Sequence, residues 1–195
     1  AAPSATADNV GVIAAWVEEV RGDGATHKAI LANASAPDCE GVVNFCTSGI
    51  KTTIGGETAA TAYTTGEYTA YLALNQSLTG HELLDVTEIT ESADPDADVD
   101  AGKLILRWNG AAHELVSGVT SLVTTTSVPA LFKKIKHVEG CDLLAKDIAA
   151  LFKSNYKGKR VNSYANKQQL VAEIIAYFSQ LTGSVLSPDY ANVAA

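Results

Sequence analysis

The apolar positions of this chain change their period along its length, and each change predicts an element. Between residues 9 and 21, Val10, Ile13, Val17 and Val20 recur at three- to four-residue intervals, which predicts an amphipathic helix. Asp8 or Asn9 would cap it and Gly22 would stop it. Residues 27–32 and 42–46 are short apolar runs between turn residues and read as buried strands, joined by residues 33–41. Strands of this kind with a helical crossover are the mark of a parallel sheet. A helix is expected over 64–74, with Thr64-x-x-Glu67 as a capping box, and a strand over 86–90. Residues 94–102 read as an acidic loop and short turn. Segments 103–108 and 114–119 flank Asn109-Gly110, a strong hairpin signal. A helix over 142–156 would place Leu144, Ile148, Leu151 and Phe152 on one face. A last helix over 166–181 would do the same with Leu170, Ile174, Tyr177, Phe178 and Leu181, from Asn166-x-x-Gln169 to Gly183. Residues 1–6 look like a frayed lead-in, and no internal repeat or low-complexity tract is visible.

Composition adds a boundary. Hydrophobic residues make up 47% and charged ones 18%, the balance of a globular protein. The apolar runs are far shorter than the ~20 residues of a membrane span, and no signal-peptide pattern opens the sequence. The net charge of −8 is unevenly spread: residues 1–128 carry 17 acids and 5 bases, net −12, and residues 129–195 carry 5 acids and 9 bases, net +4. The step falls at Val128-Pro129, after a linker-like Thr124-Thr125-Thr126-Ser127 run, so two domains are expected, 1–128 and 129–195. Opposite charges on two parts of one subunit suit head-to-tail assembly. They also suit an acidic face and a basic patch that are merely solvated. Cys39, Cys46 and Cys141 have no zinc spacing and are too few for a disulfide scaffold, so they read as reduced cysteines, partly buried. The chain begins with Ala and has no Met, which suggests a fragment or an incomplete residue list.

The order of motifs carries a resemblance. The last third has a basic segment, an amphipathic helix, a Tyr156-Lys157-Gly158-Lys159 turn, Asn162-Ser163-Tyr164-Ala165-Asn166-Lys167, a second helix and a Val185-Leu186-x-Pro188-Asp189 tail. Upstream stand Ala29-Ile30-Leu31-Ala32-Asn33, Pro37-Asp38-Cys39-Glu40-Gly41-Val42-Val43, Asn75-Gln76-Ser77-Leu78-Thr79-Gly80, Asp100-Ala101-Gly102-Lys103-Leu104-Ile105-Leu106 and Ser121-Leu122-Val123-Thr124-Thr125. In this order they resemble the contractile phage tail sheath family over nearly the whole chain. Each motif is weak alone; their collinearity is specific. The helix before Asn75 departs from the family, which has a longer apolar connection there. The resemblance implies an α/β fold: a three-layer α/β/α subtilisin-like domain followed by a small α+β C-terminal domain. It implies a structural subunit and no enzyme, polymerised helically around the tail tube and contracting to drive it through the target envelope. The implied partners are other sheath subunits, the tail tube protein, and baseplate and tail terminator proteins, with no nucleic acid, membrane or cofactor. The implied place is the virion, after assembly in the bacterial host cytoplasm. Family members usually also carry an upstream N-terminal region and extended arms.

The residues also bear on rival chemistries. A serine hydrolase on the same fold needs Asp, His and Ser in a working order. Thr47-Ser48-Gly49 follows a strand, and Ser117 and Ser121 follow a His, but no GxSxG occurs and His27, His81, His113 and His137 sit in no glycine-bounded motif. Asp94, Asp96, Asp98 and Asp100 alternate like a calcium loop, yet neither register supplies the Gly and Glu an EF-hand needs. Gly55-Gly56 lacks the phosphate-loop spacing. Lys153, Lys157, Lys159, Arg160 and Lys167, with Tyr156 and Tyr164 nearby, form a basic cluster that nucleic acid could touch. The resemblance favours a protein-facing patch there: in sheath assemblies the C-terminal domain lies against the tube, whose acidic residues can pair with it. These five are the candidate assembly interface, and no catalytic, cofactor or metal residue is assigned. A sheath from a bacteriocin or injection device, rather than a phage, fits the same motifs.

Overall fold

The computed structural model describes residues 7–35, 37–55, 77–183 and 185–187. The chain divides into two compact units, Ala1–Glu139 and Gly140–Ala195.

In the first unit, helix α1 (Ala7–Gly22) matches the predicted period, and the chain leaves it through Gly24 at a φ of 85°. Strands β1 (Ala29–Ala32) and β2 (Val42–Phe45) pair in parallel, Ala29 opposite Val42 and Ala32 opposite Phe45. The crossover between them is the short 33–41 connection, which has no helix among its described residues. Strand β6 (Lys103–Leu104) adds to the other edge of β2, again in parallel.

All four β2 residues are buried, because this central strand is covered on both faces. Val42 packs with Val10, Val17, Leu31 and Cys39 under α1. Val43 and Phe45 point the other way, into a core with Ile50, Leu78, Leu83, Val86, Leu104, Leu106, Leu115 and Ile135. Strand alternation assigns the two sets. The second layer among the described residues is therefore built from two small antiparallel sheets. One pairs β3 (Ser48–Thr52) with β5 (Val86–Thr90); the other orders β4 (Glu82–Leu83), β8 (His113–Leu115) and β7 (Leu106–Trp108). The helix expected over 64–74 lies outside the described residues.

The hairpin forms, with Arg107 opposite Glu114 and Trp108 opposite His113. Its turn is longer than the two-residue form: Asn109 N donates to Ala112 O at 3.0 Å, and Asn109 Oδ1 accepts from Ala111 N and Ala112 N, both at 2.9 Å. The strand expected over 103–108 is split. Lys103–Leu104 joins the parallel sheet, and Leu106–Trp108 joins the hairpin, with Leu106 N held by buried Thr47 Oγ1 at 2.8 Å. The acidic turn contains a short helix, α2 (Pro95–Asp100), with Pro95 in its first turn and Asp94 as N-cap.

The helix expected from residue 142 begins earlier, as α3 (Ile135–Asn155). In its first turn Ile135 N bonds Gly118 O at 3.1 Å, and Val119 bridges Lys134 antiparallel. Helix α4 (Tyr164–Leu181) is capped by Ser163, whose Oγ accepts from Asn166 N at 3.3 Å. The cap thus stands three residues before the Asn166 predicted for it.

Candidate assembly interface

In the second unit the helical end of α3, the turn after it and the start of α4 carry the basic cluster. Lys153, Lys157, Lys159, Arg160 and Lys167 are all exposed, so the structure brings the five predicted residues onto the surface of one helix–turn–helix. Two of them have local tasks. Lys159 Nζ donates to Ser154 O at 2.5 Å, which covers a free carbonyl at the end of α3. Arg160 donates to Gln169 Oε1, and its guanidinium lies 4.9 Å from the centre of the Tyr156 ring. The side chains of Lys153, Lys157 and Lys167 have no hydrogen bond or ion pair among the described residues. Their charge is thus directed to solvent or to a partner.

Beneath the turn lies a polar seam that the sequence pattern did not reveal. Tyr156 is buried, and its hydroxyl and Glu173 Oε2 have no hydrogen-bond partner among the described residues. Burial, with Glu173 beside it, pushes the Tyr156 phenol upward. Gln169 Nε2 donates to Glu173 Oε1 at 3.3 Å, so Arg160, Gln169 and Glu173 form a chain along the start of α4. Further along, the Tyr177 hydroxyl donates to Asp147, joining α4 to α3. Burial, then this carboxylate, raises the Tyr177 pKa to about 12. The predicted inner face of α4 is only half-buried, and Phe152 of α3 remains 46% exposed, stacked on Tyr156. Val161, Tyr164, Val171 and Ile175 are exposed too. Together these leave the second unit with much apolar surface outside its own core.

The other candidate chemistries do not assemble. Ser117 Oγ accepts from Lys134 Nζ at 2.8 Å, and buried Ser121 Oγ donates to Cys39 O at 2.9 Å; neither bonds a histidine among the described residues. Thr47 serves Leu106 N, His113 Nδ1 stands 2.9 Å from Val86 O, and His137 Nδ1 stands 3.0 Å from Leu131 O. In the acidic turn, Asp94 caps α2 and Asp98 is held by Lys103 at 2.7 Å and Ser92 at 2.5 Å. The Lys103 hydrogen bond, then that of Ser92, holds the Asp98 carboxyl below its usual range. No group of three or more metal-ligating side chains occurs among the described residues. The three cysteines are free, and burial raises each thiol's pKa, which keeps them protonated near neutrality. No described helix is long and apolar enough to cross a membrane.

Comparison with known proteins bears on what the exposed cluster serves. No protein-family profile matches the chain. The tail sheath protein of Clostridium phage phiCD119 is 34% identical over 175 residues, 87% of this chain and 48% of that protein. The chain thus spans about half the length of the curated relative it matches. Among solved structures, the sheath tail protein of Desulfitobacterium hafniense superposes with a TM-score of 0.77 at 20% identity, over 93% of this chain and 44% of that one. The sheath tail protein Lin1278 of Listeria innocua gives 0.75 at 18%, over 92% and 44%. The baseplate of the anti-feeding prophage gives 0.63 at 12%, over 88% and 48%. The structural likenesses show a shared α/β fold, and the sequence match adds collinear residues along most of the chain. Over the part of its relatives that it spans, the chain belongs to the phage tail sheath family.

Proposed function

We propose that the chain is part of a tail sheath subunit that polymerises helically around the tail tube and contracts to drive the tube through the target envelope. The observation that carries this reading is the 34% identity over 175 residues to a phage tail sheath protein. In this reading the protein has a mechanical role and no catalytic one. Its partners are neighbouring sheath subunits, the tube, the baseplate and the tail terminator, and it needs no cofactor, nucleic acid or membrane. It resides in the virion tail after assembly in the host cytoplasm. Contraction is a switch between two packings of rigid units, so its energy is stored in the lattice. The three-layer α/β/α, subtilisin-like arrangement followed by a small α+β domain belongs to this reading.

The exposed cluster of Lys153, Lys157, Lys159, Arg160 and Lys167 faces an acidic surface in the assembled tail, namely that of the tube. Its exposure and its three unpaired lysines support this. The charge step at Pro129 supports it too: the basic domain 129–195 is the one placed toward the tube. Negative-stain microscopy of the full-length protein tests the reading directly. Tubular polymers are expected, and dispersed particles under all assembly conditions would reject it. Labelling of Ser48, Ser117 or Ser121 by a fluorophosphonate probe would instead revive the hydrolase. A sheath of a bacteriocin or injection device is a second reading, favoured by the likeness to the anti-feeding prophage baseplate.

A further inference from the structure

Thr87, Glu88, Ile89, Glu91, Trp108 and His113 line a groove of about 390 Å³ in the first unit. Trp108 is 49% exposed, unusual for so large an apolar side chain. It is also well fixed. Its ring leans on the His113 imidazole with centroids 4.9 Å apart, and its backbone N donates to Glu91 Oε1 at 2.9 Å. His113 is buried, with Nδ1 2.9 Å from Val86 O. The groove therefore presents a held aromatic ring beside two exposed carboxylates, Glu88 and Glu91. An electron-rich ring face and carboxylates together suit a cation. Nearby bases do not fill that role well. Arg107 is committed to Glu114 at 2.6 Å, and the Lys51–Glu88 pair, 2.7 Å long, is more than half exposed on both sides and so easily exchanged.

We propose that this groove docks the lysine row of α3 in a second copy of the chain, Lys146 and Lys153. These stand seven residues apart on a helix, hence on one face. Both are exposed, and neither side chain has a hydrogen bond or ion pair among the described residues. The charge balance selects a second copy as the occupant: residues 1–128 are net −12 and residues 129–195 net +4. Each copy thus carries both halves of the contact, and a head-to-tail arrangement follows. The inference goes beyond the sheath reading by naming the surface between copies. Where this contact forms it takes Lys153 from the tube-facing cluster of the proposed function, which then rests on Lys157, Lys159, Arg160 and Lys167.

Sedimentation velocity of the 195-residue chain at low salt tests it. Weak, reversible self-association that salt abolishes is expected. Glu88→Lys, Trp108→Leu, or Lys146→Glu with Lys153→Glu should each weaken it by roughly fivefold to tenfold. Mixing the Glu88→Lys variant with the Lys146→Glu/Lys153→Glu variant should restore association, because opposite charges again meet. Lys159→Glu with Lys167→Glu serves as the control, because those residues belong to the tube contact of the proposed function; it should weaken self-association less than the Lys146/Lys153 reversal does. The proposal is overturned by a chain that stays monomeric at low salt, by variants that associate as the parent does, or by a mixture that stays apart. A control reversal as damaging as the α3 one would overturn it too, since the contact would then be diffuse. Failure of any of these leaves tube binding to be judged on its own assay.

Discussion

Asn44 holds Ala34 by both of its amide atoms: its Oδ1 accepts from Ala34 N at 2.8 Å and its Nδ2 donates to Ala34 O at 3.0 Å. Asn44 is 3% exposed, on the face of β2 that looks toward α1. The amide copies a strand neighbour for a residue that has just left β1, so the crossover from β1 to β2 starts with its polar groups satisfied. Asn44→Ala would leave both Ala34 groups without these bonds. A loss of roughly 1–2 kcal/mol is expected, because the orphaned Ala34 groups are half-buried and recover part of their bonding from water. Urea unfolding checks this: the midpoint should fall while the slope stays constant.

Gly102 sets a second constraint. Its φ is 72°, and a Cβ there would lie 2.8 Å from the backbone of Ser121. The 118–122 segment is itself pinned, since Ser121 N donates to Val42 O at 2.8 Å. Gly102→Ala must therefore move backbone, and about 2–4 kcal/mol of destabilisation is expected. Gly24→Ala is the comparison: its φ is 85°, yet among the described residues no neighbouring atom lies within 4 Å of a new Cβ. That change should cost only about 1 kcal/mol, from the left-handed backbone alone. Equal losses in thermal unfolding would show that steric contact at Ser121 is unimportant.

The Tyr177–Asp147 contact predicts behaviour at alkaline pH. The phenol pKa is about 12 in the fold, above the ordinary 10.0. A group raised on folding contributes fully below its unfolded pKa, and the contribution fades as pH climbs through the folded one. The stability of the second unit should therefore hold up to about pH 10 and decline toward pH 12. Phenolate absorbance should show a late phase that includes Tyr177, and Tyr177→Phe should remove one tyrosine's amplitude from it. If the late amplitude is unchanged in Tyr177→Phe, the assignment is wrong.

At the acid end, Asp98 behaves with the opposite sign. Its carboxyl is held low first by the Lys103 hydrogen bond and then by that of Ser92. Its contribution is present above the unfolded pKa and is lost as pH falls through the lowered one. Lys103→Met should bring the Asp98 titration back up toward the ordinary carboxylate range. Carboxyl carbon shifts followed by NMR would show the change, and an unmoved midpoint would assign the shift to Ser92 instead.

These residues also show how far the sequence could be read. The Val10, Ile13, Val17 and Val20 period and the β2 run Val42-Val43-Asn44-Phe45 announced their elements, because local periodicity reports burial. The split after Leu104 was not legible. It depends on β2 and β8 competing for the same stretch of chain, and pairing partners leave no local period. The early start of α3 was hidden by Gly140, a weak helix former whose open side here meets Val185. The α4 cap was missed although Ser163 stood in the sequence; Asn166 looked equally able, and only the Ser163 Oγ contact with its N–H decides between them. The basic cluster was legible as charge. The Arg160–Gln169–Glu173 chain under it was not, because it joins residues on different elements through side-chain geometry.

That chain shapes the prediction for tube docking. Exposed ion pairs contribute only ~0–1 kcal/mol each, so one substitution among Lys153, Lys157 and Lys167 should leave assembly on the tube nearly unchanged. Arg160→Glu is a different case, since it also removes the Gln169 contact and the guanidinium over Tyr156. It should loosen the turn between α3 and α4 as well as reverse a charge, and its effect should persist in high salt. Reversing Lys157 and Lys167 together leaves that turn intact and spares Lys153, which the contact between copies uses. This double variant should assemble poorly on the tube at low salt, where screening is weak, while its far-ultraviolet spectrum and melting temperature match the parent. If it polymerises around the tube and contracts as the parent does, charge does not dock this surface. The contact would then have to be made by the exposed apolar row of Val161, Tyr164, Val171 and Ile175, and substitutions there would be the ones to block assembly at every salt concentration.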